Sequence, residues 1–324
     1  MQSGCACRGD AGLAHPACLI QKAISQRAHR GSKAWTTCQT CSQQFGAMGL
    51  VLAQARCERE STMDARSFLG AMMRRQGRSA DAERTCRGVL AESRSSLGDE
   101  HMTTTTGMTN LAAALSEQGK YAESESILRE ALHARDDPGT RSNLAVSLCG
   151  REKYAEAESI LRGVVLEREL SSGSDHEATL QAKCNLGVAL AKQHKIDEAE
   201  ALFHEVVIRR RRVFGEEHSE TLLCQGNLAS LCLLPRGRCA EAETIQRSVL
   251  SIQRRTIGEE HPHTLMTGSN LAHSIWGQGR HEEARELARV IHAARVRTQG
   301  RSHPHTESSA RTLAQFSVLR ARRR

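Results

Sequence analysis

Residues 185–207 have the sequence NLGVALAKQHKIDEAEALFHEVV. In the second half of this stretch, apolar residues recur at helical spacing and make one stripe. They are Ala199, Leu202, Phe203, Val206 and Val207. Glu205 stands four residues before Arg209, which is the favoured order for a helical ion pair. The polar residues Gln193–Lys195 separate the two halves, so the stretch predicts a helix, a tight turn and a second, longer helix.

The Asn-Leu-Ala/Gly start of this stretch recurs along the chain at intervals of 33, 42, 42 and 43 residues. The asparagines of the five copies are Asn110, Asn143, Asn185, Asn227 and Asn270. Phe68-Leu69-Gly70, 42 residues before the first asparagine, is a degenerate copy. A single hairpin cannot bury both of its apolar stripes, so neighbouring hairpins must stack. The repeat therefore predicts an all-α solenoid over residues 61–324, with about six hairpins and a C-terminal helix.

A second motif, Gly-x-x-His-x-x-Thr, lies between successive copies. Its glycines are Gly98, Gly173, Gly215, Gly258 and Gly300, and the histidines are His101, His176, His218, His261 and His303. We expect each glycine to end a helix in a left-handed cap, and each histidine to be a loop or cap residue. The histidines are a whole hairpin apart, roughly 10 Å, whereas zinc needs its ligands about 2 Å away. The histidine series therefore indicates no metal site.

Two copies depart from the pattern. The copy around Asn143 has lost nine residues, and Asp136–Gly139 stands where the His/Thr loop belongs, which predicts a short first helix. The copy around Asn227 has gained one residue, and Leu234–Gly237 predicts a looser turn.

The cysteines of the repeats are expected to be small, half-buried packing residues. They are Cys86, Cys149, Cys184, Cys224, Cys232 and Cys239.

The recurring Asn-Leu-Ala/Gly copies resemble the tetratricopeptide repeat. The long unit with its Gly-Glu-Glu-His-Pro-x-Thr loop resembles the kinesin-light-chain type of that repeat. The resemblance implies a right-handed superhelix whose concave groove, lined by the first helices, binds peptides or partner proteins. It also implies that Asn110, Asn143, Asn185, Asn227 and Asn270 contact the peptide backbone. The alternative is that each asparagine only bridges adjacent hairpins and fixes their register. No heptad coiled coil is present to join a motor heavy chain.

The first 45 residues have a different pattern, Cys5-x-Cys7, then His15-x-x-Cys18, then Cys38-x-x-Cys41. Two short-spaced cysteine pairs suit tetrahedral zinc. The pattern resembles the RING-CH (RING-variant) finger from its third ligand onward. By that order Cys5, Cys7, Cys38 and Cys41 complete one zinc site, while His15 and Cys18 form half of another. Residues 46–60 are expected to form a capping helix on the first hairpin.

The missing first cysteine pair of that finger suggests that Met1 is an internal start of a longer protein. Family members use the finger to recruit a ubiquitin-conjugating enzyme. The alternative function is therefore a ubiquitin ligase, in which the finger holds that enzyme and the repeats hold the substrate. No catalytic constellation is present in the sequence, so a non-enzymatic protein-binding scaffold is the first hypothesis.

Composition limits the other function classes. The net charge is +8, but residues 1–60 carry +4 and residues 301–324 carry +5, so the middle of the chain is nearly neutral. The basic ends do not indicate a nucleic-acid partner, although the run Arg320–Arg324 would suit a nuclear signal. No apolar run approaches twenty residues, which excludes a membrane span. The first residues form no secretory leader, so a cytoplasmic location is expected.

Overall fold

The computed structural model describes residues 62–321, with side chains to residue 317, and the isolated positions 20, 23, 53, 54 and 58. The expected zinc ligands Cys5, Cys7, His15, Cys18, Cys38 and Cys41 lie outside the described residues. Of the expected capping segment 46–60, only Ala53, Gln54 and Glu58 are described; they are helical, and Ala53 is fully buried. Both interpretations therefore stay predictions.

Between residues 62 and 321 the chain forms thirteen α-helices and no strand, in two compact units whose boundary along the chain falls between Glu117 and Gln118. The helices of the first unit are α1 (Met63–Arg75), α2 (Ser79–Leu97) and α3 (Met102–Glu117). The second unit contains α4 (Tyr121–Ala134), α5 (Pro138–Gly150), α6 (Tyr154–Ser172), α7 (Glu177–Lys192), α8 (Ile196–Phe214), α9 (Ser219–Asn227), α10 (Cys239–Thr256), α11 (Pro262–Gly277), α12 (His281–Gln299) and α13 (Pro304–Ala321). Within each unit, consecutive helices pack together as stacked hairpins. The expected all-α solenoid fold is confirmed.

The helical hairpins close through tight turns of the kind that the sequence predicts. In the turn between α7 and α8, the Lys195 N–H donates to the carbonyl of Leu190 at 3.0 Å. His194 has a φ of +63° there, and Glu152 has +62° in the turn before α6. The apolar stripe on the following helix is then buried, with Ala199, Phe203 and Val206 fully covered.

The Gly-x-x-His-x-x-Thr loops have a more specific structure than a left-handed cap. Gly215 has φ +91° and ψ 167°, a combination that is open essentially to glycine alone. Gly98, Gly173 and Gly300 share it. The expected cap therefore has the right sign of φ but the wrong ψ. The extended ψ of Gly215 turns its carbonyl toward Thr221, six residues later, whose hydroxyl donates to it at 3.0 Å. The Thr264 hydroxyl likewise donates to the Gly258 carbonyl at 2.7 Å.

Four of the five loop histidines cap the following helices, as expected, whereas His218 lies at the N-cap position of α9 and its side chain makes no capping hydrogen bond. The Nδ1 of His176 accepts a hydrogen bond from the Ala178 N–H at 3.3 Å, and His261 does the same for His263 at 3.2 Å. Each of the four capping imidazoles therefore satisfies one of the backbone donors that a helix start leaves free. No group of three potential metal ligands occurs among the described residues.

The two irregular copies show where residues were lost and gained. The helix α5 has 13 residues against 16 in α7, as expected, but α4 is also shortened, to 14 residues against 19 in α6. The deletion is therefore shared by two helices. In the copy around Asn227, α9 continues as a π-helix over Leu228–Leu233, and a 3₁₀ turn follows over Leu234–Arg236. A π-helix has one more residue per hydrogen-bonded ring, so it takes up the extra residue before the turn.

A series of buried carboxylates joins successive hairpins. Glu158 of α6 lies 2.7 Å from the Lys195 Nζ, and Glu243 of α10 lies 2.8 Å from the Arg280 Nη1. Glu125 and Glu200 make the equivalent contacts with the next hairpin. Burial by itself would raise the pKa of the Glu158 carboxyl, but hydrogen bonds from Lys195 and neighbouring side chains lower it to about 2. These carboxylates fix the register between hairpins, and with it the spacing of the first helices.

Candidate functional site

The first helices of consecutive hairpins lie side by side in the second unit, where α7 contacts both α5 and the α9 segment. We call the surface around Asn143, Asn185, Asn227 and Asn270 on these helices and on α11 the first-helix wall. All four asparagines occupy equivalent positions, and all are partly exposed. Asn110, on α3 of the first unit, is also partly exposed.

The asparagine amides of the wall differ in what they contact. The Asn227 Nδ2 lies 3.8 Å from the Cys184 Sγ on the preceding first helix, so this residue bridges two hairpins. The Asn185 Oδ1 accepts from Gln181 at 3.2 Å, within its own helix. Among the described residues, the amides of Asn143 and Asn270 have no hydrogen-bond partner. A hydrogen-bonded bridge between hairpins is therefore seen at Asn227, and among the described residues Asn143 and Asn270 make none.

The rest of the wall is small and mostly uncharged. The residues immediately before the asparagines are Ser142, Cys184, Gly226 and Ser269, and the first two are buried. Val146 is 38% exposed, and Val188, at the equivalent position of α7, is partly exposed. Such a surface can contact an extended backbone closely and offers shallow apolar contacts to its side chains.

Aromatic side chains close one end of the wall, which the sequence analysis did not predict. The Trp276 ring of α11 stacks on Phe316 of α13, with centroids 4.1 Å apart and an interplanar angle of 3°. His273, one turn before Trp276, meets Phe316 edge-on at 5.4 Å. Burial lowers the pKa of His273, so its imidazole is neutral at pH 7. The scarcity of aromatics in this chain, with two Trp and five Phe, was a signal that could have drawn attention to this end.

The cysteines of the repeats are packing residues, as expected. Cys86, Cys184, Cys224 and Cys232 are buried free thiols, and Cys149 and Cys239 are half-buried. Burial raises the pKa of Cys86, Cys149 and Cys232 to about 11, so these three thiols are protonated and unreactive near neutral pH.

The opposite, second-helix side also has surface features that sequence reasoning missed. A cleft of about 920 Å³ lies between α10 and α12, with Leu250, Leu287 and Val290 among its apolar lining. On α6 and α8, Leu170 is 81% exposed and Ile208 is 66% exposed. Arginines at the cleft rim are ion-paired, as Arg247 is with Glu243 and Glu283. This side is the competing binding surface. No described helix is both long and apolar enough to cross a bilayer.

Several solved structures are similar to this chain. NprR in complex with its cognate peptide NprX superposes with a TM-score of 0.62 at 11% identity, covering 95% of this chain and 84% of NprR. A tetratricopeptide repeat protein from Parabacteroides merdae gives 0.53 at 15% identity, covering 93% and 98%. The TPR-like repeats of a kinesin-light-chain-like protein from Podosopora anserina give 0.37 at 22% identity, covering 73% and 96%. At these identities the similarity establishes the fold alone.

The sequence itself identifies the family. The model of the tetratricopeptide repeat matches residues 61–137, 138–207, 179–255 and 231–295, which together make up more than half of the chain. No curated protein sequence matches the chain significantly. With its stacked hairpins and matching repeats, this chain belongs to the tetratricopeptide repeat family.

Proposed function

We propose that this protein is a non-enzymatic scaffold that binds extended peptides or peptide segments of partner proteins along the first-helix wall. The observation that carries the proposal is the state of Asn143 and Asn270, whose partly exposed amides have no hydrogen-bond partner among the described residues. A side-chain amide both donates and accepts, so it matches a peptide group in an extended backbone. The similar fold of NprR, which was solved with a peptide, supports the proposal.

The spacing of the wall suits an extended ligand. Packed helices lie about 8–10 Å apart, and an extended chain rises about 3.3 Å per residue. Successive asparagines therefore contact every third residue of the peptide. The side chains of the peptide residues that lie between these contacts meet Val146, Val188 and the aromatic end of the wall. Backbone contacts supply affinity that does not depend on sequence, and the apolar positions supply the selectivity.

Selection and mutation test this proposal. Decapeptides from a displayed random library are selected on the full chain, and their affinities are measured by calorimetry. Each of N143A, N185A and N270A should weaken binding by about two- to tenfold, the cost of one hydrogen bond. The matched control is I208A on the second-helix side, which should leave the affinity unchanged. Loss of binding with I208A but not with the asparagine variants would place the site on the second helices and overturn the proposal.

The cysteine pattern of residues 1–45 favours a second candidate. We propose that Cys5, Cys7, Cys38 and Cys41 hold one zinc ion, with His15 and Cys18 as an incomplete second site, because one tight turn can present two thiolates to a single ion. In this alternative the protein is a ubiquitin ligase whose RING-CH-like segment recruits a conjugating enzyme. Metal analysis of the full chain should give one zinc per chain, and the double variant C38S/C41S should lose it. Zinc below half an equivalent would overturn the site, and no stimulation of ubiquitin discharge would overturn the ligase.

We also propose the type of repeat and the cellular location of the protein. The recurring Gly-x-x-His-x-x-Thr loop supports the kinesin-light-chain type of repeat. The six free thiols of the described repeats support a cytoplasmic location, where thiols stay reduced. Fractionation of cells that express the tagged full chain tests the location. Recovery in the cytosolic fraction is expected, and recovery from the medium would contradict it.

A further inference from the structure

We propose that buried Arg210, acting through Gln181, holds the Asn185 amide with its nitrogen toward the ligand, so that this point of the first-helix wall recognises a backbone carbonyl and not an N–H. The inference rests on the proposed function of the wall. It makes Arg210 and Gln181 positioning residues for a contact that neither of them makes with the ligand.

The evidence is a hydrogen-bonded series that runs from the core to the wall. Arg210 of α8 is fully buried. One nitrogen of its guanidinium, Nη1, donates to the Glu220 carbonyl, and a second, Nη2, donates to the Gln181 Oε1 at 2.7 Å. The Gln181 Nε2 in turn donates to the Asn185 Oδ1 at 3.2 Å. Gln181 and Asn185 are four residues apart on α7, so they share one face of the helix.

The direction of each hydrogen bond in the series follows from the chemistry of arginine. A guanidinium has only donors, so the group that faces it must be the Gln181 oxygen. The Gln181 nitrogen then faces Asn185, and a nitrogen with two protons can only be met by the Asn185 oxygen. The Asn185 NH₂ group is what remains for the wall. The amide is therefore oriented before any ligand arrives, which removes the cost of turning it.

No other asparagine of the wall is oriented in this way. The residues four positions before Asn143, Asn227 and Asn270 are Gly139, Leu223 and Met266, and none of these side chains has a proton to donate. Asn227 faces the Cys184 thiol, which is a weak donor as well as a weak acceptor and imposes no direction. Asn185 is thus the one point among these four at which the wall distinguishes a carbonyl from an N–H. It can set the register of a bound peptide.

The first test needs no ligand. In the full chain labelled with ¹⁵N-glutamine, the Gln181 side-chain protons should shift when N185A removes their acceptor, and should not shift in the control N143A. A Gln181 signal that is unchanged by N185A would overturn the relay. A cooperative unfolding transition in both variants shows that both are folded, so that the comparison is valid.

The second test uses a decapeptide selected on the full chain. Q181M keeps the size of the side chain but frees the Asn185 amide, and should weaken binding by about threefold. Q181E still accepts from Arg210 but now also accepts from Asn185, which turns the Asn185 oxygen toward the ligand. The Asn185 oxygen then faces the carbonyl oxygen of the peptide. Because neither oxygen can donate, Q181E should weaken binding by about tenfold or more. The matched control M266A, at the equivalent position of α11, should leave the affinity unchanged.

Backbone-modified peptides give the polarity directly. Along the selected peptide, one position should lose affinity when an ester bond weakens its carbonyl, but should tolerate N-methylation of the following residue, whose N–H the ester also removes. That position should lose its ester sensitivity in Q181E. If the peptide position that contacts Asn185 is sensitive to N-methylation and not to the ester, the inference is overturned. If no peptide is selected at all, the proposed function fails, and the ligand-free experiment alone decides the relay.

Discussion

The Lys195 ammonium, at the residue before α8, lies 2.7 Å from the buried Glu158 carboxylate of α6. The two residues belong to successive hairpins. The same carboxylate also accepts from Arg162 of its own helix and from Gln193 of the following turn. One buried acceptor thus joins α6 to the turn that closes the next hairpin. Since Glu125, Glu200 and Glu243 repeat the arrangement, the register of the second unit depends on these four side chains.

We therefore expect E158Q to destabilise the fold. Glutamine keeps the shape but removes the charge from hydrogen bonds that are charge-assisted and partly buried, which should cost about 1–3 kcal/mol. The free energy of unfolding from urea titration measures the effect. The matched control is E156Q on the same helix, where Glu156 is 42% exposed and pairs with Arg129. It should change the free energy by less than about 0.5 kcal/mol, and an equal loss in both variants would contradict this account.

The same carboxylates predict acid sensitivity. In the folded state the pKa values of Glu125, Glu158 and Glu243 are lowered to about 2, against about 4.3 for an unfolded glutamate. A lowered folded-state pKa gives stability that is complete above the unfolded value and is lost as pH falls through the folded value. Helical circular dichroism should therefore hold down to about pH 4.5 and the unfolding midpoint in urea should fall between pH 4.5 and 2. A midpoint independent of pH across this range would contradict the prediction.

The backbone of the loops predicts opposite effects for two glycine substitutions. Gly215 has φ +91°, so G215A forces an alanine into a strained conformation and should cost about 1–3 kcal/mol. Gly163 lies within α6, and a Cβ added there meets no atom within 4 Å. G163A should therefore stabilise by about 0.5–1 kcal/mol. Thermal unfolding of the two variants measures both, and a stabilising G215A would show that the loop conformation is wrong.

The threonine of the same loop provides a further test. Thr264 is 2% exposed, and its hydroxyl donates to the Gly258 carbonyl at 2.7 Å. T264V keeps the shape but leaves that carbonyl without its donor, and should cost about 1–2 kcal/mol in urea unfolding. The control T244V removes an exposed hydroxyl that donates only to the Ala240 carbonyl of its own helix. Similar losses in the two variants would mean that the loop hydrogen bond contributes nothing specific.

The features that depend on residues within a single copy of the repeat could be predicted from the sequence. The hairpins, the turns, the capping histidines and the equivalent positions of the asparagines follow from spacing, because each depends on residues within one copy. The ψ of Gly215 could not be predicted, since a positive φ is compatible with two conformations of glycine. The π-helix over Leu228–Leu233 also escaped, because one extra residue can be taken up in the helix or in the turn after it.

Contacts between copies were the part that sequence reasoning missed. Nothing in the spacing of the acidic residues at the helix starts shows that Glu158 meets Lys195 across 37 residues. Arg210 belongs to a basic run that looks like a solvated face, and yet it is fully buried while Arg212 is not. Which face of α8 is covered depends on how the next hairpin stacks. The Arg210–Gln181–Asn185 series is visible only once that stacking is known.

Photocrosslinking tests the central claim, that ligands bind the first-helix wall, most directly. A photoreactive phenylalanine is placed at Val188 on α7 or at Ile208 on α8 of the full chain, and each variant is irradiated with the selected decapeptide. We predict crosslinking from position 188, abolished by an excess of unlabelled peptide, and none from position 208. Crosslinking from position 208 alone would place the ligand on the second-helix side and contradict the account.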